Sequence, residues 1–90
     1  MKVKFEKRFQ KDILNLSSSA TLNSIERIIF AVKNAKKISD IPNIKKLKGT
    51  KTAYRIRVGT YRIGVYIEND TVEFICILPR DIVYRHFPKK

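Results

Sequence analysis

Residues 54–65 read Tyr-Arg-Ile-Arg-Val-Gly-Thr-Tyr-Arg-Ile-Gly-Val, an alternation of apolar and polar side chains through a two-residue break. Period-two alternation marks a strand with one buried face, and Gly59-Thr60 suits a two-residue hairpin turn. Such a turn pairs Val58 with Tyr61 and sets Arg57 directly opposite Arg62. Tyr54, Ile56, Val58, Tyr61, Ile63 and Val65 then share one face, with Arg55, Arg57 and Arg62 on the other. Like charges opposite each other destabilise a sheet. A fold that keeps them there has a use for the charge, and a bound polyanion is the usual one.

Charge along the whole chain agrees. Its 90 residues hold 20 Lys and Arg against 8 Asp and Glu, a formal net charge of +12. One domain, residues 1–90, is expected at this length, with a small core, since such chains bury only about 60% of their unfolded surface. A nucleic-acid partner fits the charge; an anionic membrane surface or an acidic protein fits it equally. No apolar run approaches the roughly 18 residues of a membrane span, and the first residues lack the apolar core of a signal peptide. Cys76 is the only cysteine, so no disulfide forms within the chain, which fits a reducing, cytoplasmic compartment. Between Ile75 and Ile77 it reads as a small buried hydrophobe. One His and one Cys cannot close a zinc site of such ligands, and the carboxylates show no clustered spacing. No metal or cofactor is expected.

The remaining pattern places this hairpin in an α+β fold. Val3 and Phe5 alternate with lysines as a short first strand. Phe9, Ile13 and Leu16 form the stripe of a short helix from Glu6 to about Leu16. Ser17-Ser18-Ser19 offers caps for a second helix, about Ala20 to Lys37, with Leu22, Ile25, Ile28, Ile29, Val32 and Ala35 along one face. A short connection makes the two an antiparallel hairpin. Residues 38–52 read as a lysine-rich connector anchored by Ile41, Ile44 and Leu47. Strands then span about 53–58, 61–68 and 71–78, with Asn69-Asp70 as a second two-residue turn. Uniform register pairs Ile63 with Cys76, Val65 with Phe74 and Ile67 with Val72, all facing the helices. The other face, carrying Arg55, Arg57, Arg62, Gly64, Tyr66, Glu73, Ile75 and Ile77, is expected to be open. Residues 80–87 form one or two further helical turns. The architecture is an antiparallel meander with a helical hairpin on one face and a short C-terminal helix.

On the open face the arginine forks can bind phosphate in a bidentate manner. Gly64 leaves a shallow space beside Arg57 and Arg62, and Tyr66 offers a ring for base stacking. In a helical tail Arg80 and Tyr84 share a face at i and i+4, so Tyr84 reaches a phosphate held by Arg62 and Arg80. Otherwise its ring packs on the sheet as core. His86, the single histidine, offers an imidazole for acid/base chemistry or is a surface residue. Arg85 and His86 count as further substrate contacts.

These motifs resemble the RelE/ParE superfamily of toxins from two-gene toxin–antitoxin systems. The resemblance rests on Lys-Val-x-Phe at 2–5, the two helices, Leu-Lys-Gly at 47–49, Tyr-Arg-Ile-Arg-Val-Gly-x-Tyr-Arg-Ile-Gly at 54–64, and Arg-x-x-x-Tyr-Arg-x-Phe-Pro at 80–88. It implies the RelE branch's reaction, metal-independent cleavage of messenger RNA in the ribosomal A site. The ribose 2′-OH attacks the adjacent phosphate and the 5′-oxygen leaves. It implies that Arg62 and Arg80 stabilise the transition state, that Tyr84 is the catalytic tyrosine, and that Arg55 and Arg57 contact the substrate backbone. It also implies a cognate antitoxin and a toxin–antitoxin hetero-oligomer. Many relatives carry His-Arg-Lys where this chain has Pro79-Arg80-Asp81, and some carry a lysine base where Arg55 stands. Arginine cannot be a base, which leaves Tyr84 and then His86 for that role. A gyrase-inhibiting toxin of the ParE type and a non-catalytic RNA-binding module are the alternatives on the same scaffold.

Overall fold

In the computed structural model, which describes residues 1–88, the chain runs β1 (Lys2–Phe5), α1 (Lys7–Leu14), α2 (Ser19–Asn34), a 3-10 turn (Ile38–Asp40), β2 (Ile44–Lys46), β3 (Ala53–Val58), β4 (Tyr61–Glu68), β5 (Thr71–Pro79) and α3 (Arg80–His86). The α+β fold is the one expected. The sheet order is β1-β5-β4-β3-β2. Its centre is the expected meander, but the sheet is mixed, because β1 pairs parallel to β5. A strand also forms within the connector: Ile44, Lys45 and Lys46 pair with Ile56, Arg55 and Tyr54. Three residues are too few for alternation to declare a strand.

The helices follow their stripes. Phe9 is buried on α1; Ile25, Ile28 and Val32 are buried on α2. The Ser18 hydroxyl caps α2 by accepting from the Thr21 amide at 3.2 Å, an interaction worth about 1 kcal/mol. The helix ends at Asn34, short of the expected Lys37. There the Asp40 carboxylate accepts from the Lys36 and Lys37 amides at 3.1 and 3.2 Å and turns the chain away. Both helices pack mainly on the sheet, α1 against β5 and α2 against β1 and β3, rather than on each other. Phe9 and Phe74 sit at the centre of the core, 5.3 Å between ring centroids.

Register departs from the uniform one in β5. Val65 pairs with Phe74 as expected, but Gly64 pairs with Cys76 and Ile63 with Ile77. Ile75 is the extra residue of a bulge, and a one-residue shift sends following side chains to the opposite face. Ile77 therefore joins the core under the helices, while Cys76 joins a second cluster on the other face. The expectation of Cys76 beneath the helices and Ile77 on the open face is reversed. That face is not fully open either: Ala53, Ile75, Cys76, Val83 and Phe87 form a second small core beneath α3.

Beyond Phe74, β1 no longer covers the outer edge of β5, and α1 completes it. The Glu6 amide donates to Phe74 O at 2.9 Å. The Asp12 carboxylate accepts from the Ile77 amide at 3.0 Å and from Arg8 Nε at 3.2 Å. Asp12 thus replaces a missing strand with one side chain. Asp12→Ala orphans the Ile77 amide, at a cost of about 1–3 kcal/mol. The expected outcome is a lower urea midpoint with an unchanged slope in equilibrium unfolding.

Candidate polyanion-binding site

The β3–β4 turn positions the site. Gly59 has φ 57°, left-handed geometry that glycine adopts without penalty. The two-residue connection places Arg57 opposite Arg62. Backbone carbonyls hold the Arg62 and Arg55 side chains and the Arg57 backbone. Arg62 Nη1 donates to Gly59 O at 3.0 Å and Tyr61 O at 2.9 Å. Asn43 O accepts from the Arg57 amide at 3.1 Å and from Arg55 Nη1 at 3.0 Å. A guanidinium carries five N–H donors, so anchoring Nη1 leaves most of the fork for a ligand.

The tail reaches the same turn. Pro79 pairs with Tyr61 and caps α3, so the strand passes into the helix without a loop. The Arg80 amide donates to Thr60 O at 2.9 Å, fixing the first residue of α3 beside Arg62. Val83 and Phe87, one turn apart, face the sheet and are buried. Helical spacing then puts Arg80 and Tyr84 on one flank, His86 on the other, and Asp81 and Arg85 outward. Tyr84 is 52% exposed, so its ring is not core. Asp81 lies in the first turn of α3, where a carboxylate favours the helix.

Gly64 does not leave a space as expected. A Cβ there would lie 2.6–2.9 Å from three ring carbons of Phe87. Phe87 occupies the socket and leans on Tyr66, with centroids 5.0 Å apart at 49°. Tyr66 thus supports α3. It stands four residues along β4 from Arg62, about 13 Å at strand spacing, and borders a cleft that includes Glu68 and Glu73.

Electrostatics identify which groups share the site. The Arg62 guanidinium, on a partly exposed side chain, holds its proton less tightly than an ordinary arginine. Burial is the main cause, followed by Arg55; Arg80 and Arg57 act in the same direction, and Tyr84 opposes them. Arg55, Arg57, Arg62, Arg80 and Tyr84 are thereby brought together from three elements, whereas Arg85 and His86 are not among the groups acting on Arg62. A groove of about 430 Å³ runs beside Arg62 and Arg80, with Asp81 at its wall. Among the described residues Asp12 pairs with Arg8 at the outer edge of β5, and none of the cluster's arginines is in that pair. Lys45, in register with Arg55, adds a cation that sequence reading missed, because the strand carrying it was not visible. No group of three or more His, Cys, Asp or Glu among the described residues could hold a metal ion, and no described helix is long and apolar enough to cross a membrane.

The fold and the cluster define a small basic α+β domain that concentrates guanidinium groups around a hairpin turn, with the Tyr84 phenol beside them. No family model matches the chain. It is 40% identical over 89 residues to Toxin RelE3 of Methanocaldococcus jannaschii, covering 98% of this chain and 100% of that one. Its structure resembles the RelB–RelE antitoxin–toxin complex from Methanococcus jannaschii at TM-score 0.80 and 36% identity, over 94% of this chain and 99% of that one. Isolated RelE from E. coli shares the fold at TM-score 0.64 and 19% identity, over 93% of this chain and 90% of that one. The chain belongs to the RelE toxin family.

Gly64→Ala is expected to expel Phe87 and loosen α3. Overpacking of this kind costs about 1–3 kcal/mol. Hydrogen exchange should show lost protection of the Phe87 amide, which donates to Val83 O at 2.9 Å, while the amides of α2 stay protected. Equal loss in both helices would mean that the socket does not hold α3 separately.

Proposed function

We propose that this protein is the toxin of a type II toxin–antitoxin pair and acts as a ribosome-dependent endoribonuclease on messenger RNA. The observation that carries the reading is the placement of Arg57 opposite Arg62, with Arg80 fixed at the same turn by the Thr60 carbonyl and lining one groove with Arg62. A phosphodiester held there meets preorganised cations that need little reorganisation as charge develops on phosphorus. The 2′-oxygen bonds to phosphorus, the P–O5′ bond breaks, and the products are a 2′,3′-cyclic phosphate and a 5′-hydroxyl. One proton leaves the 2′-OH and one reaches the 5′-oxygen. Arg62 and Arg80 stabilise the crowded phosphate; Arg55 and Arg57 hold the flanking backbone. Among the groups acting on Arg62, Tyr84 alone carries a transferable proton, since arginine stays protonated. His86, on the other flank of α3, is not in that position.

The RelB–RelE complexes among similar structures support a cognate antitoxin for this chain. We read it as a small protein with an acidic, partly disordered segment that wraps the basic face. Action on ribosomes implies a cytoplasmic protein.

Inducible expression followed by mapping of transcript 5′ ends tests the reading. Growth arrest with codon-phased cuts in translated RNA is expected. Arg62→Ala and Tyr84→Phe should each lower the cleavage rate by about 10²–10³ in a ribosome-programmed assay. Arrest with DNA damage and intact messages would instead indicate gyrase as the target. RNA binding without toxicity or cleavage would reduce the protein to a binding module.

A further inference from the structure

We propose that the cleft between α2 and the adjoining end of the sheet is a second phosphodiester-binding site, so that a bound RNA strand passes around the β3–β4 turn from the arginine face to Arg27. The inference rests on the proposed reading that this face engages RNA. The cleft is about 290 Å³. Arg27 of α2 and Arg57 of β3 line it from opposite layers, and among the described residues no carboxylate lines it. Ile28 and Val58, 7% and 6% exposed, make a firm floor. Two guanidinium groups facing one cleft without an acid between them suit an anion.

Continuity with the first site is physical. Arg57 stands opposite Arg62 on the face and also lines the cleft. Asn43, at the rim, ties the two through the bonds its carbonyl accepts from Arg57 and Arg55. Gly59 lines both the cleft and the groove beside Arg62 and Arg80. A Cβ at Gly59 would meet nothing within 4 Å, so the crest of the turn is unobstructed. On the far wall Arg27 Nη2 donates to Ser24 Oγ at 3.3 Å, an i,i+3 contact that steadies the guanidinium along the helix. A strand leaving Arg62 over the turn therefore meets Arg57 and Arg27 together in the cleft. The occupant is a phosphodiester backbone, from the message or from ribosomal RNA.

The test uses the full chain carrying Tyr84→Phe, which slows cleavage of the probe. Binding of a single-stranded oligoribonucleotide and of purified ribosomes is titrated with and without Arg27→Gln, across a salt series. Arg27→Gln should weaken binding about fivefold at low salt and flatten the logarithmic salt slope by about 0.7, the share of one single-strand phosphate. An effect on the oligonucleotide assigns the message to the cleft; an effect confined to ribosomes assigns ribosomal RNA. Unchanged binding to both, with Arg57→Ala still weakening them, overturns the cleft and leaves the arginine face standing. Unchanged RNA binding with lost affinity for the antitoxin overturns it in favour of a protein partner. Because binding is read separately from cleavage, binding through Arg27 together with failure of the parent chain, Tyr84 intact, to cut messages would refute the nuclease reading alone. Matching thermal unfolding of the variants shows that the fold is kept.

Discussion

Phe87 rests on Gly64 so closely that no Cβ fits between them, and the position of α3 depends on that contact. Seven residues are too few for a helix to be stable alone. This one is held by Val83 and Phe87, which bury against Ala53, Ile75 and Cys76, and by the Arg80 amide on Thr60 O. The Arg80 amide anchors its start, Val83 its middle and Phe87 its end, and the Arg80 and Tyr84 side chains project from the adjoining flank. The apolar contacts make no direct use of charge, yet they decide where charge is placed. The bulge at Ile75 belongs to the same arrangement, because it turns Cys76 toward α3 and gives the helix an apolar seat.

Against that packing stands a real electrostatic cost. Arg57 faces Arg62, Lys45 pairs with Arg55, and burial with neighbouring cations weakens the hold of Arg62 on its proton. Exposed like-charge pairs cost only tenths of a kcal/mol each, a loss that the helix-side core can offset. Backbone carbonyls of Gly59, Tyr61 and Asn43 supply partial negative charge where no carboxylate is paired. These dipoles hold the guanidinium groups in place without neutralising them, and their attraction for an anion is retained.

The sequence made the meander and both long helices legible because each has a single periodicity. Alternation from Ala53 to Val58 and Tyr61 to Glu68, and the stripe through Ile25, Ile28 and Val32, are local signals. What escaped was set by tertiary context. β2 is three residues long, β1 is parallel to a strand near the other end of the chain, and the bulge at Ile75 has no marker in a run of apolar residues. Once the bulge was missed, Cys76 and Ile77 exchanged faces and the second core became invisible. Gly64 lies on the arginine face as its spacing predicts, but the space beside it is filled, because nothing local announces that Phe87, 23 residues later, returns to it. Arg55, Arg57 and Arg62 were legible for the converse reason, since strand spacing alone fixes which side they take; for Tyr84 spacing allowed both a face shared with Arg80 and a place in the core, and its exposure decides between them.

The β3–β4 turn joins these strands of argument. Its carbonyls hold Arg62, Thr60 O receives the start of α3, and Gly59 borders both the groove and the cleft. A longer turn would move Arg57 off Arg62, displace the acceptor for Arg80 and raise side chains over the path to Arg27. The two-residue length is therefore a constraint on all three at once. A tight hairpin is among the stiffest local structures available to a chain of 90 residues, because strand twist matches such a turn and leaves few alternatives. Placing the cations around it gives a small domain a preorganised anion site without requiring a large core.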